Sequence, residues 1–263
     1  MTLDSARLRA IGIGALGLGT TVAIWWIAAA TVLADFQIPT PVEIVQVFHE
    51  RGFDYYHRIF AITLKESWHG YVIGVGLALA TSVMVLLLPF IEPLVMQFAV
   101  ITYCLPIVVL APVLITIHDI PVKGGISATA VDIAAVSVFF TTVVGAILGF
   151  RTVDRSTLDV VQVYGGSRFQ QFLRVRVVAS LPALFSTLQI AAPAAFLGAL
   201  LGEYFDRHLE IGVGPSLILS QNNRETALAW SLGIACALVS GLVYVVLGLI
   251  GRAVAPWSTG VAR

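Results

Sequence analysis

Few side chains in this sequence could do chemistry, and most of those sit in apolar surroundings. Asp132 is the one acid in the run from Ile126 to Phe150. An ionised carboxylate inside a membrane span costs about 2.5–3.5 kcal/mol on insertion scales, so it must face a cavity, a cation or water. Contact with a solute, snorkelling, and pairing with Lys123 or a neighbouring chain all remain open for it. Glu203 ends a second apolar run and suits either an external gate or a solvated helix end. Gln189, Ser186 and Thr187 in that run, and Tyr103 and Cys104 in another, can line a path or glue helices together. His118-Asp119 reads as a wet loop. No Gly-x-x-x-x-Gly-Lys-Ser/Thr phosphate loop, His-Glu-x-x-His or Gly-x-Ser-x-Gly occurs, so no catalytic residue is assigned and the chain is not expected to be an enzyme. Cys104 and Cys236, both in apolar runs, suggest neither a disulfide nor a metal site.

The elements that carry these groups follow from composition. Hydrophobic residues make up 58% of the chain and charged ones 11%, against roughly 25% charged in a soluble domain. A soluble core of this length cannot hide so much apolar surface, so lipid is the solvent. Six runs approach or exceed the ~20 residues of a spanning helix: Ile11–Leu33, Tyr71–Leu88, Val95–Ile117, Ile126–Phe150, Val177–Leu201 and Ala227–Ile250. They do not alternate, which excludes a barrel. The first is too long for a signal-peptide core and holds Trp25-Trp26, so it is read as a span. The expected fold is all-α, a single membrane domain over residues 1–263 without a fixed-period repeat.

Basic residues set the orientation. With the N-terminus inside, Arg7, Arg9, Arg151, Arg155, Arg168, Arg174, Arg176, Arg252 and Arg263 are cytoplasmic, nine against six outside. The loop after the fourth span decides it with five arginines, and both termini are then cytoplasmic. That loop, about 151–177, also has the most local structure. Asp154 can cap a helix reaching Tyr164. Gly165-Gly166 can take the positive φ that ends it. Ser167 with Gln170 makes a second capping box. Two short helices around a glycine turn form a rigid hand, which suits something to hold. On the other side, Thr40-Pro41-Val42-Glu43 starts an external amphipathic helix, with Ile44, Val47 and Phe48 on one face and Glu43, Gln46 and Glu50 on another.

The order of Leu158-Asp159-Val160-Val161, Gly165-Gly166-Ser167-Arg168-Phe169 and Ser180-Leu181-Pro182 resembles the cytoplasmic signature of ABC importer permeases. That signature runs Glu-Ala-Ala, three residues, Gly-Ala-Ser, then Leu-Pro. Ile38-Pro39-Thr40-Pro41, Leu105-Pro106 through Ala111-Pro112, Arg151-Thr152-Val153-Asp154, Glu203 and Gly212-Val213-Gly214 are similar to the nitrate/sulfonate/taurine type, so the resemblance covers roughly residues 38–252. Asp159 replaces the usual Glu, Val160-Val161 the alanine pair, and Val177-Val178 the first Leu-Pro.

The resemblance implies a type I importer permease in the plasma (inner) membrane, with spans three to six around the pathway. Asp159, Gly165, Gly166, Ser167, Arg168 and Phe169 would then form the coupling surface for an ATPase. Tyr103, Cys104, Asp132, Gln189 and Glu203 would be pathway candidates. The implied partners are two ATPase subunits, a second permease copy or paralogue, and an extracytoplasmic substrate-binding protein in a lipid setting. ATP and Mg would be bound by the ATPase, with no cofactor in this chain and no role for nucleic acid. The cargo class is a small polar or anionic solute such as a sulfonate, nitrate or a vitamin precursor. A self-contained ion-driven carrier is the rival reading, disfavoured by one intramembrane acid and no repeated halves. A membrane enzyme, without a catalytic cluster, is the third.

Overall fold

The computed structural model describes residues 2–32, 36–122, 124–153 and 155–257. Lys123, Asp154 and Arg263, used above for pairing, capping and charge, lie outside the described residues, as do the side chains of Arg7, Arg155 and Arg168. The described residues form helices and no strand: α1 (Thr2–Ala30), α2 (Pro41–Leu87), α3 (Glu92–Cys104), α4 (Ile107–Ile117), α5 (Ala128–Phe150), α6 (Arg155–Val163), α7 (Arg168–Gln171), α8 (Val177–Phe205), α9 (Val213–Asn222) and α10 (Thr226–Val254). Among them five are long and apolar enough to cross a membrane, or six spans if α3 and α4 count as one.

The run Val95–Ile117 bends where its prolines lead one to expect: α3 and α4 meet at 94°. Leu105 and Pro106 are both extended, with ψ of 121° and 122°. Proline forces the residue before it out of the helical region, so the break falls at Leu105. One expectation about the spans changes: the amphipathic helix is not separate from the second span. It runs on as α2, 47 residues long, with a kink at Gly52, whose φ of 71° and ψ of 166° are outside helical geometry. Its start is as expected. Thr40 N–H donates to Glu43 Oε2 at 2.9 Å and Glu43 N–H to Thr40 Oγ1 at 3.3 Å, a reciprocal capping box. Ile44 is buried and Val47 and Phe48 half-buried, while Glu43, Gln46 and Glu50 are exposed.

The chain divides into two compact units. One comprises Met1–His57 and Leu217–Ala235. Within it Trp25 stacks on Trp230 at 5.6 Å, Tyr56 Oη and Ser231 Oγ share a hydrogen bond of 2.7 Å, and Arg51 pairs with Glu225 at 2.6 Å. The other comprises Arg58–Ser216 and Cys236–Arg263. Where α5 meets α8 its buried residues are small: Ala130, Ala134 and Val138 of α5 and Ala191, Ala195 and Ala199 of α8.

Three Gly-x-x-x-Gly pairs explain that closeness. A Cβ at Gly70 or Gly74 of α2 would lie 2.4 Å from Ala134 Cβ or Ala135 O; one at Gly198 or Gly202 of α8 would lie 2.8 Å from Ala134 Cα or 2.5 Å from Ala130 Cα. On α5, Gly145 receives Thr187 and Gly149 faces Ser180 and Ala183. Small residues at this spacing let backbones approach where lipid offers no hydrophobic drive between helices. The opposite faces are apolar and exposed: Leu238, Leu242, Val245 and Leu249 of α10 are each more than half uncovered. Hydrocarbon or an apolar partner, not water, covers such a surface without cost.

Candidate functional site: the loop between α5 and α8

α5 ends at Phe150, where Arg151 N–H donates to Leu148 O and Gly149 O. The Arg151 guanidinium pairs with Glu92 at the start of α3. After α6 the chain turns in a Schellman motif: Gly166 N–H donates to Val161 O at 2.8 Å and Gly165 N–H to Gln162 O at 2.9 Å, with Gly165 at φ +80°. Ser167 N–H then donates to Gln170 Oε1 at 2.9 Å and Gln170 N–H to Ser167 Oγ at 3.3 Å, the second capping box the sequence predicts. α7 continues through a π segment, Phe172–Arg176, into α8.

Specific contacts hold this hand together. Leu158 is buried; Gln171 Nε2 donates to Leu158 O at 3.2 Å, and Arg176 Nη1 reaches Phe150 O at 3.4 Å. The rings of Phe150 and Phe172 lie 5.8 Å apart. Asp159 is exposed, and so are Val160, Val163 (84%), Tyr164 (87%) and Phe169 (69%). Three large apolar side chains and one tyrosine are therefore exposed on this loop. The bulky Val161 has a local answer: Gly166 stands where the signature has alanine, and a Cβ there would come 2.5 Å from Val161 Cγ1.

The pathway candidates are not gathered into one constellation. Tyr103 and Cys104 end α3 at the break before α4; both are exposed, and the Tyr103 ring lies 4.8 Å from that of Phe140. Asp132 Oδ2 contacts His118 Nε2 at 2.7 Å, so His118 is not merely part of a wet loop. It holds the end of α4 against α5. Gln189 lines a cavity of about 140 Å³ together with Pro182, Phe185, Ser186, Gly248 and Arg252.

Glu203 is not a solvated helix end. It is fully buried; Thr63 Oγ1 donates to its Oε1 at 2.7 Å and Gly214 N–H to its Oε2 at 2.8 Å. Gly212-Val213-Gly214 is the cradle for this carboxyl: a Cβ at Gly212 would sit 2.7 Å from Oε1, and one at Gly214 2.5 Å from Glu203 Cβ. Sequence reasoning missed Glu66, also fully buried, because the polar Lys65-Glu66-Ser67 reads as a wet segment. Among the described residues no group of His, Cys, Asp and Glu has the arrangement of a metal site.

Residues 70–259 match the family described as binding-protein-dependent transport system inner membrane component. The chain is 24% identical over 202 residues to the formylaminopyrimidine transport permease protein ThiX of Halalkalibacterium halodurans, covering 75% of this chain and 77% of that one. It is 24% identical over 153 residues to the riboflavin transport system permease protein RibX of Chloroflexus aurantiacus, covering 58% and 54%. It is also 24% identical over 189 residues to a probable ABC transporter permease protein of Haemophilus influenzae, covering 71% and 74%.

Proposed function

Because this chain belongs to the binding-protein-dependent transport inner membrane component family, and so is a multi-pass permease subunit of an ABC importer, we propose that the turn between α6 and α7 is where it takes up the work of a separate ATPase. The exposed patch of Val160, Val163, Tyr164 and Phe169, presented by two capped helices, carries the reading. Asp159, Gly165, Gly166, Ser167 and Arg168 complete the surface. Family membership displaces both the ion-driven carrier and the membrane enzyme. The finer reading is a complex of two permeases, two ATPases and a binding protein, with the arginine-rich loop and both termini in the cytoplasm, where ATP is. The cargo is a small polar or anionic solute; the compounds named for two relatives, formylaminopyrimidine and riboflavin, favour a nitrogen heterocycle.

Co-purification with the ATPase tests this docking surface. Truncating two aromatic anchors at an interface costs on the order of 2–4 kcal/mol, more than about tenfold in affinity. The double variant Tyr164→Ser, Phe169→Ser should therefore insert normally and lose its ATPase during purification. Undiminished recovery of the ATPase would place docking, and with it the cytoplasmic assignment of this loop, elsewhere.

We place Tyr103, Cys104, Asp132 and Gln189 along the translocation pathway, with Asp132 the most readily tested. Asp132→Asn keeps the shape and can still bond His118. It should leave assembly unchanged while shifting transport affinity or rate about tenfold, the value of one charge-assisted hydrogen bond. Unchanged transport per assembled complex would make the His118–Asp132 contact purely structural.

A further inference from the structure

Two fully buried carboxyl groups, Glu66 and Glu203, meet where α2 and α8 receive the starts of α5 and α9. Each takes up backbone donors that a helix start leaves unpaired. Glu66 Oε1 accepts from the N–H of Ser127, the N-cap of α5, at 2.6 Å. Glu203 Oε2 accepts from Gly214 N–H at the start of α9. Thr63, one turn before Glu66, joins the two sites: its Oγ1 accepts from Val213 N–H at 3.1 Å and donates to Glu203 Oε1.

One atom is left over. Glu66 Oε2 is buried and has no donor, and the Glu203 carboxyl, held by Thr63 one turn before Glu66 on the same helix, is its ionisable neighbour. Among the described residues neither glutamate has a cation partner. Asp206, at the end of α8, and Cys236, on α10, are the other ionisable groups acting on the pair. The Asp206 carboxylate is engaged by His208, through its N–H and Nδ1, both at 3.1 Å. Lys65 and His69, the other titratable groups on this stretch of α2, are exposed. Two bare carboxylates in contact and out of water repel, whereas a hydrogen between them makes a strong bond. Both Glu203 oxygens already accept a donor, as does Glu66 Oε1, so Glu66 Oε2 is the oxygen where that hydrogen displaces no existing bond.

We propose that Glu66 and Glu203 form an acid–carboxylate latch, with the shared hydrogen carried by Glu66, that fastens the starts of α5 and α9 to α2 and α8 and opens when the hydrogen is lost. Stability from this contact is present while Glu66 keeps its hydrogen and falls as pH rises through its loss.

Infrared spectroscopy and thermal melting of the purified full-length chain, followed against pH, test the latch. With isotope-labelled glutamate, the wild type should show the carbonyl stretch of a protonated glutamic acid at neutral pH. Its disappearance on raising the pH should coincide with a fall in melting temperature. In Glu66→Gln the amide donates to Glu203 and its oxygen accepts from Ser127. That variant should lose the stretch and the alkaline fall while melting near the wild-type temperature at neutral pH. Glu203→Gln keeps one oxygen for the two donors Thr63 and Gly214 and should melt lower at every pH. Absence of the stretch from the wild type, its persistence in Glu66→Gln, or an unchanged alkaline fall in that variant would overturn the proposal.

Discussion

Replacing Gly165 by valine should abolish ATP-driven transport while leaving the protein inserted in the membrane. Gly165 sits at φ +80°, where a β-branched side chain meets its own backbone at a cost of about 1–2 kcal/mol. Nothing lies within 4 Å of the position a Cβ would take, so the strain comes from the backbone alone and no neighbour can yield to relieve it. The turn answers by changing φ, which breaks the bonds from Gly166 N–H to Val161 O and from Gly165 N–H to Gln162 O and swings α6 against α7. A change of this kind leaves α5 and α8 intact, since Phe172 and Arg176, which join the hand to Phe150 at the end of α5, lie beyond the turn. Asparagine tolerates the same backbone region, so Gly165→Asn should recover most of the transport that Gly165→Val loses. ATP hydrolysis and solute uptake by the reconstituted complex separate the cases. Coupled uptake at the wild-type rate in the valine variant would mean that the turn geometry does not transmit work.

Local signals in the sequence predict local structure well here. Thr40 with Glu43 and Ser167 with Gln170 are capping boxes because the two partners are three residues apart, and nothing distant has to cooperate. The positive φ of Gly165 follows equally from one residue type at the end of a helix. Composition alone separates lipid-facing helices from loops. What depended on partners far along the chain was not visible. Lys65-Glu66-Ser67 is polar in any window, and only the approach of Ser127 and Glu203 makes Glu66 a buried group. The helix start at Pro41 is legible, but the polar stretch 49–69 conceals that the same helix runs on to Leu87. Leu105-Pro106 announces a bend, not its size. Asp132 reads as an acid in need of company; that the company is His118, fourteen residues earlier, depends on the break between α3 and α4.

Gly202→Val should cost the folded protein more than Gly165→Val, because Gly202 is where α8 and α5 touch. A Cβ there would lie 2.5 Å from Ala130 Cα and 3.1 Å from Ala130 Cβ and N. These are mostly backbone atoms of a fully buried residue, with no flexible side chain to move aside. Overpacking of a tight core costs typically about 1–3 kcal/mol and more where backbones must part. Here they must part next to Glu203, so the displacement also draws the Glu203 carboxyl away from Glu66 and the start of α9. Gly76 supplies the control: it lies on α2 in the same unit, and nothing is within 4 Å of its Cβ position. Gly76→Val should melt close to the wild-type temperature in detergent, whereas Gly202→Val should aggregate during extraction or melt far below it. Equal melting of the two variants would show that the glycine contact is slack, and the close α5–α8 packing would then need another cause.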